Sequence, residues 1–241
     1  MPQVVYIPIK AIIFDFDGTL VDTKQYYFGM LAEYLQVDLV RVFSKADELI
    51  FSKLTSQERN VKWKIVMGLY QVSRALGFSY IKSLRAMFFV GRNQSKQFSS
   101  AQPTKDTILA LKRLHSTGIK LAIVSDSPRK KINIFLNKHL KGINYFPEDC
   151  ILASGEFGKH KEEGFVYFLR KFNLTSTPRS CAMIGDLGGD IIAGKTIGIT
   201  TFAFAAGYST PEILLENEPD AIYETLLEME RSIHLFLAEE K

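Results

Sequence analysis

Two carboxylates stand one residue apart in the run Phe14-Asp15-Phe16-Asp17-Gly18-Thr19-Leu20-Val21-Asp22. They follow the apolar residues Ile12 and Ile13. An acid beside a dry core is costly unless a cation or hydrogen bonds satisfy it. A capped turn explains Asp17-Gly18, a common turn pair, but leaves Asp15 without a reason. A second run, Ile184-Gly185-Asp186-Leu187-Gly188-Gly189-Asp190, again sets acids and glycines after apolar residues. If the two runs meet, Asp15, Asp17 and Asp186 share a crevice, with Asp190 a further candidate. Carboxylates so gathered repel one another unless a divalent ion is present. Oxygen-only ligands favour Mg²⁺. Ser125, in Val124-Ser125-Asp126-Ser127-Pro128, offers a hydroxyl beside a helix start, where anions are favoured. Gly158-Lys159-His160-Lys161 offers cations that could meet a phosphoryl oxygen.

Such residues need a frame that brings distant runs together. Residues 10–16, 119–125, 150–153, 181–185 and 199–204 read as buried parallel strands, being short, apolar and rich in β-branched residues. Helical patterns lie between them. Ser127 is placed as N-cap of a helix over residues 128–139, with Pro128 at its first position. Phe165, Phe168, Leu169 and Phe172 form a helical stripe over 161–172. Residues 104–116 form another amphipathic helix, closed by Gly118. Strand alternating with helix predicts an α/β fold, a doubly wound parallel sheet. In such a sheet, ligands bind at the carboxyl ends of the strands, where the strand order reverses. Residues 23–100 break the alternation with long helical patterns, over 58–76 and 80–97, and read as an inserted α-helical cap domain. Residues 1–22 and 101–241 are then the core domain, and 93–103 the returning linker.

Composition fits this frame. The chain has 241 residues, 46% hydrophobic and 23% charged, which suits a globular protein and excludes wholesale disorder. The net charge of +4 is too small to argue for nucleic acid. Residues 24–100 hold 12 Lys+Arg against 5 Asp+Glu, so the insert is basic and the remainder slightly acidic. Solvated helix faces explain most of that excess, although a basic module could also steer an anionic substrate. Cys150 and Cys181 sit in apolar runs and read as buried thiols of a reducing compartment. No run is apolar and long enough for a spanning helix, and the start lacks the layout of a secretory signal. A cytoplasmic protein without membrane partners is expected. Oligomeric state is open.

In this order the four segments resemble the haloacid dehalogenase superfamily. Asp15 to Asp22, in the pattern D-x-D-G-T-L-V-D, is the most specific part, and Gly185-Asp186 with Asp190 the next. The likeness is closest to phosphoglycolate phosphatase-like members with a helical cap. It implies a Mg²⁺-dependent phosphatase acting on a small phosphorylated metabolite through an aspartyl-phosphate. Asp15 would be the nucleophile and Asp17 the acid, then the base. Magnesium would be held by Asp15, Asp17 through its backbone carbonyl, Asp186 and Asp190. Ser125, Asp126 and a lysine would hold phosphoryl oxygens. The family's spacing favours Lys159, six residues before Phe165, over Lys161; the prolines usual beside this lysine are missing from Lys159-His160-Lys161-Glu162. Dehalogenases of the superfamily do not need the second acid, because a halide departs without a proton. Asp17 therefore favours phosphoryl chemistry. The alternatives are a phosphosugar mutase with the same core and a phospho-acceptor module without turnover.

One competing motif is literal. Gly189 to Thr196 fits G-x-x-x-x-G-K-T, the phosphate loop of P-loop NTPases. Asp190 would put a carboxylate inside that cradle, and Ile191, Ile192 and Ala193 suit a helix better. An accidental match is expected. No G-x-S-x-G elbow occurs, and the four histidines lack zinc-type spacing.

Overall fold

The computed structural model describes residues 8–53, 61–93 and 98–237. Six parallel strands form one sheet in the order β3-β2-β1-β4-β5-β6. They are β1 (Ala11–Phe14), β2 (Lys120–Val124), β3 (Ile151–Leu152), β4 (Cys181–Gly185), β5 (Thr200–Phe204) and β6 (Ala221–Tyr223). The chain winds from β1 outward to β3, then crosses to β4 on the other side of β1. The order thus reverses between β1 and β4, where Phe14 stands beside Ile184.

Strand side chains alternate between the two faces. Ile12, Phe14, Leu121, Ile123 and Ile184 join one buried cluster. Its helices include α5 (Thr107–Ser116), which contributes Leu111 and Leu114, and α10 (Leu226–Leu237), which contributes Met229. Ala11, Ile13, Val124, Cys181 and Met183 face the other cluster, with Phe165 and Phe168 of α7 (Lys161–Lys171) and Ala193 of α8 (Gly188–Thr196). Helices on both faces make this the doubly wound sheet that the alternation predicted. The short β6 was not anticipated. Its residues are only half buried, and it is tethered by polar contacts. The Asp220 carboxylate accepts from Thr201 N–H at 2.8 Å and from both terminal nitrogens of Arg179.

Between β1 and β2 the regular elements are helical. Before α5 they are α1 (Thr23–Leu35), α2 (Leu39–Leu49), α3 (Val61–Ala75) and α4 (Tyr80–Asn93), with short 3₁₀ turns after α2 and α4. Asp22 and Asp38 cap α1 and α2, accepting from Gln25 N–H and Val40 N–H, both at 2.8 Å. Asp22, the last acid of the motif, therefore spends its side chain on starting the insertion. The outgoing and returning segments run side by side: Asp22 N–H donates to Gln102 O, and Thr104 N–H to Leu20 O. Parts of the expected helix over 58–76, and of the linker over 93–103, lie outside the described residues. After the insertion the remaining helices are α6 (Arg129–His139) and α9 (Pro211–Leu215).

Candidate active site

The tips of β1 and β4 bring the acids together. Asp15 N–H donates to Ile184 O at 2.9 Å, which continues the β1–β4 ladder past the last residue of β1. Carboxylate oxygens of Asp15, Asp186 and Asp190 lie within 4.8 Å of one another, and all three residues are buried. Asp186 follows β4, and Asp190 lies in the first turn of α8. Asp186 accepts from Thr19 O–H at 3.1 Å and from Tyr208 N–H at 2.8 Å. Gly18 holds φ at +86°, and a Cβ there would come within 2.7 Å of the Asp186 Cγ. The glycine of the first motif thus leaves room for the acid of the last.

A lysine lies among these acids. Lys161, the first residue of α7, donates to Asp15 Oδ1 and Asp190 Oδ1, both at 2.6 Å. Lys159 is exposed, and its backbone N–H donates to Glu163 at 3.0 Å. The structure therefore corrects the expected choice of lysine: at the acids it places Lys161, not Lys159. Spacing to Phe165 did not identify the right side chain, because the first residue of α7 faces the strand tips and Lys159 lies on the loop before them.

With all three carboxylates ionised, one ammonium leaves two negative charges in a buried crevice. Burial, with the charges of Asp190 and Asp17, pushes the Asp15 carboxyl up to about 7 against the pull of Lys161. Burial and the charges of Asp15 and Asp190 raise Asp186 well above the usual carboxylate range. Burial works against the Lys161 ammonium, but Asp15, Asp190 and Asp126 hold its pKa well above that of a free lysine. The buried Oδ2 of Asp190 has no hydrogen-bond partner. Such an orphaned anionic oxygen is costly unless a cation meets it. The donor set is all oxygen and its excess charge is that of a divalent ion, so these residues fit Mg²⁺.

Asp17 lies apart from the three. Its side chain turns to the start of α6: Ser127 O–H donates to Oδ2, and Lys131 to Oδ1 at 2.5 Å. The metal role expected of Asp17 is that of its backbone carbonyl. Ser127 is thus not the N-cap of α6, since its hydroxyl goes to Asp17 and the cap position falls to Pro128. Ser125, at the tip of β2, is buried, and its Oγ accepts from Ser127 N–H at 3.1 Å. Asp126 is exposed, near enough to Lys161 to raise its pKa. Lys131 and Tyr208 escaped sequence reasoning, and Thr19 and Ser127, though inside the quoted runs, were not singled out for the site.

The G-x-x-x-x-G-K-T match forms no phosphate loop. Gly188–Thr196 is helix α8, and Lys195 donates to the carbonyls of Asn217 and Glu218 at 3.1 and 3.2 Å.

Comparison with known proteins agrees with this geometry. The family model of haloacid dehalogenase-like hydrolases matches residues 9–198. The chain belongs to that family. It is an enzyme, a hydrolase, and it resembles phosphoglycolate phosphatases along its length. That of Vibrio vulnificus is 25% identical over 236 residues, covering 92% of this chain and 94% of the relative. That of Aliivibrio fischeri is 29% identical over 228 residues, covering 89% and 92%. Among solved structures, a haloacid dehalogenase family hydrolase from Deinococcus radiodurans, with bound phosphate and sodium, superimposes with a TM-score of 0.69. It covers 95% of this chain and 97% of its own at 16% identity, a likeness of fold. Among the described residues, no helix is long and apolar enough to cross a membrane.

Proposed function

We propose that this hydrolase is a Mg²⁺-dependent phosphatase for a small phosphate monoester, of the phosphoglycolate or sugar-phosphate kind, working through an aspartyl-phosphate. The reading rests on the meeting of Asp15 with Lys161, Asp186 and Asp190 at the reversal of strand order, with the separate acid Asp17 close by. The Asp15 carboxylate attacks phosphorus, and the bond to the leaving oxygen breaks. Asp17 gives its proton to the departing alkoxide. As a base it then takes a proton from water, which attacks the aspartyl-phosphate and frees inorganic phosphate and Asp15. The Lys161 ammonium and the Ser125 hydroxyl hold phosphoryl oxygens, together with the backbone at Asp126. Asp15, Asp186, Asp190 and the Asp17 carbonyl would hold the magnesium ion. When bound, the ion screens the phosphoryl charge from the anionic nucleophile.

The helical insertion, residues 23–100, is proposed as a cap that excludes water and contacts the leaving group. The two buried free thiols, Cys150 and Cys181, support a reducing, cytoplasmic setting. A phosphate-release screen over phosphorylated metabolites, with Mg²⁺ and with EDTA, tests the reading. Multiple turnovers that need Mg²⁺ and vanish in Asp15→Asn are expected. Turnover retained by Asp15→Asn would refute the nucleophile, and turnover in EDTA would refute the metal. Phosphate kept in an organic product would mean transfer to a second hydroxyl, as in a mutase.

A further inference from the structure

Lys131, on the first turn of α6, reaches three groups with one ammonium. It lies 2.5 Å from Asp17 Oδ1, 3.0 Å from the Tyr27 hydroxyl and 3.3 Å from Ser127 Oγ. It also stands 4.4 Å from the centre of the Phe98 ring, a cation–π contact. The lysine side chain is 17% exposed and that of Asp17 16%, so the pair is largely withdrawn from water. An exposed ion pair would contribute little, but one so withdrawn fixes geometry. With Ser127 on the other oxygen, both oxygens of the acid are held from the start of α6.

The third partner is on another part of the molecule. Tyr27 belongs to α1, inside the insertion, and Phe98 lies just before the returning segment. Phe98 packs against Tyr26 of α1, with ring centres 5.4 Å apart, and against Phe16 between the two acids, at 6.3 Å. The ammonium therefore bridges α6, the catalytic loop and the insertion. If the insertion moves relative to the core, Tyr27 and Lys131 shift together or lose contact, and the hold on Asp17 changes with them.

We propose that Lys131 is the positioning residue of Asp17, fixing the direction of its carboxylate and tying that direction, through Tyr27, to the place of the helical insertion. This rests on Asp17 being the acid of the phosphoryl-transfer step. Lys131 touches no reacting atom in this role. It acts by keeping the acid where the leaving oxygen will be.

The test compares kcat/KM for two substrates. 2-Phosphoglycolate expels an alkoxide that needs a proton, and 4-nitrophenyl phosphate a phenolate that leaves without one. Since a general acid contributes about 10²–10⁴-fold, Lys131→Met is expected to cut the rate on 2-phosphoglycolate at least about tenfold more than on 4-nitrophenyl phosphate. Lys131→Arg restores part of that difference. Tyr27→Phe, which keeps the ring, shifts the ratio in the same direction by less; it carries the test if Lys131→Met does not fold. In an Asp17→Asn background, Lys131→Met changes the ratio no further. Equal losses on both substrates would mean a merely structural lysine and overturn the proposal. So would a shift in ratio that persists without Asp17, because the ammonium would then act on the substrate directly. If Asp17→Asn itself leaves the ratio at the wild-type value, the acid reading of Asp17 falls. Failure of the Lys131 and Tyr27 variants alone overturns only the present inference.

Discussion

Replacing Gly207 by alanine tests the position of Asp186 without altering any acid. Gly207 lies in the loop after β5, one residue before Tyr208, whose N–H holds the Asp186 carboxylate. Its φ is outside the left-handed region, so alanine brings no backbone strain there. The added Cβ would come within 2.5 Å of the Asp186 Cγ, whereas ordinary contact starts at 3.4 Å. Something must give by about 1 Å, and a displacement of that size at a reacting constellation costs about 10²-fold in rate. That corresponds to about 2.7 kcal/mol of activation free energy. The assay is kcat/KM for 4-nitrophenyl phosphate over a Mg²⁺ titration, with Tm measured alongside. The expected result is a loss near 10²-fold and a weaker apparent affinity for the ion. Gly29→Ala is the control: a Cβ there meets nothing within 4 Å, and Gly29 lies inside α1. It should stabilise by about 0.5–1 kcal/mol with activity unchanged. If Gly207→Ala keeps kcat/KM within about threefold of wild type, Asp186 has no tight positional role and the site as built here is wrong.

The two lysines of the third motif separate cleanly. Lys161→Met should lower kcat/KM by about 10²-fold or more, as loss of a preorganised charge does, while Lys159→Met leaves it nearly unchanged; the reverse ranking would refute the geometry. Lys195→Met should leave phosphatase activity intact and lower Tm slightly, and a large activity loss would revive the nucleotide-loop reading. Asp220 gives a pH test of stability. Burial alone would raise its pKa, but Arg179 and the Thr201 N–H hold it below the usual carboxylate value. A lowered pKa stabilises the fold above the unfolded value, about 3.9, and the contribution fades as pH falls through the folded one. Asp220→Asn should therefore lower Tm at neutral pH, and its gap from wild type should close as the solution is acidified below about pH 4. A gap that stays constant would mean that the carboxylate's charge is not what tethers β6.

Much of the fold was legible because burial writes itself into sequence. β1, β2, β4 and β5 are nearly continuous runs of buried apolar residues, and the helical stripes of α5 and α7 repeat at helical spacing. Convergence of Asp15 with Asp186 followed from topology alone, since both acids end strands that flank the reversal. β6 was not legible, because its three residues are half exposed and its place is set by the Asp220 tether. Lys161 was ranked behind Lys159 for a different reason. Spacing to an aromatic residue ranks positions along the chain, but which ammonium reaches the acids depends on where α7 begins. The partners of Asp17 left no such signal: Ser127 read as a helix cap, and nothing in the sequence singles out Lys131 from its neighbours Arg129 and Lys130.

In the proposed mechanism, the two lysines that reach the acids of the crevice, Lys161 and Lys131, explain how it can keep carboxylates in different roles. Lys161 binds Asp15 and Asp190, on the side where the proposed reaction gathers phosphoryl and metal charge. Lys131 binds Asp17 and, with Ser127, draws it out of that cluster. Were Asp17 to join the other three, it would compete with them for the same cations. Separation by dedicated partners therefore does for Asp17 what distance cannot, because only one residue lies between it and the nucleophile. Lys131 in turn contacts Tyr27 of the insertion, whereas Lys161 bonds Asp15 and Asp190 of the core. In the proposed mechanism, Asp15 as nucleophile can thus stay fixed while Asp17 as acid responds to what the insertion encloses.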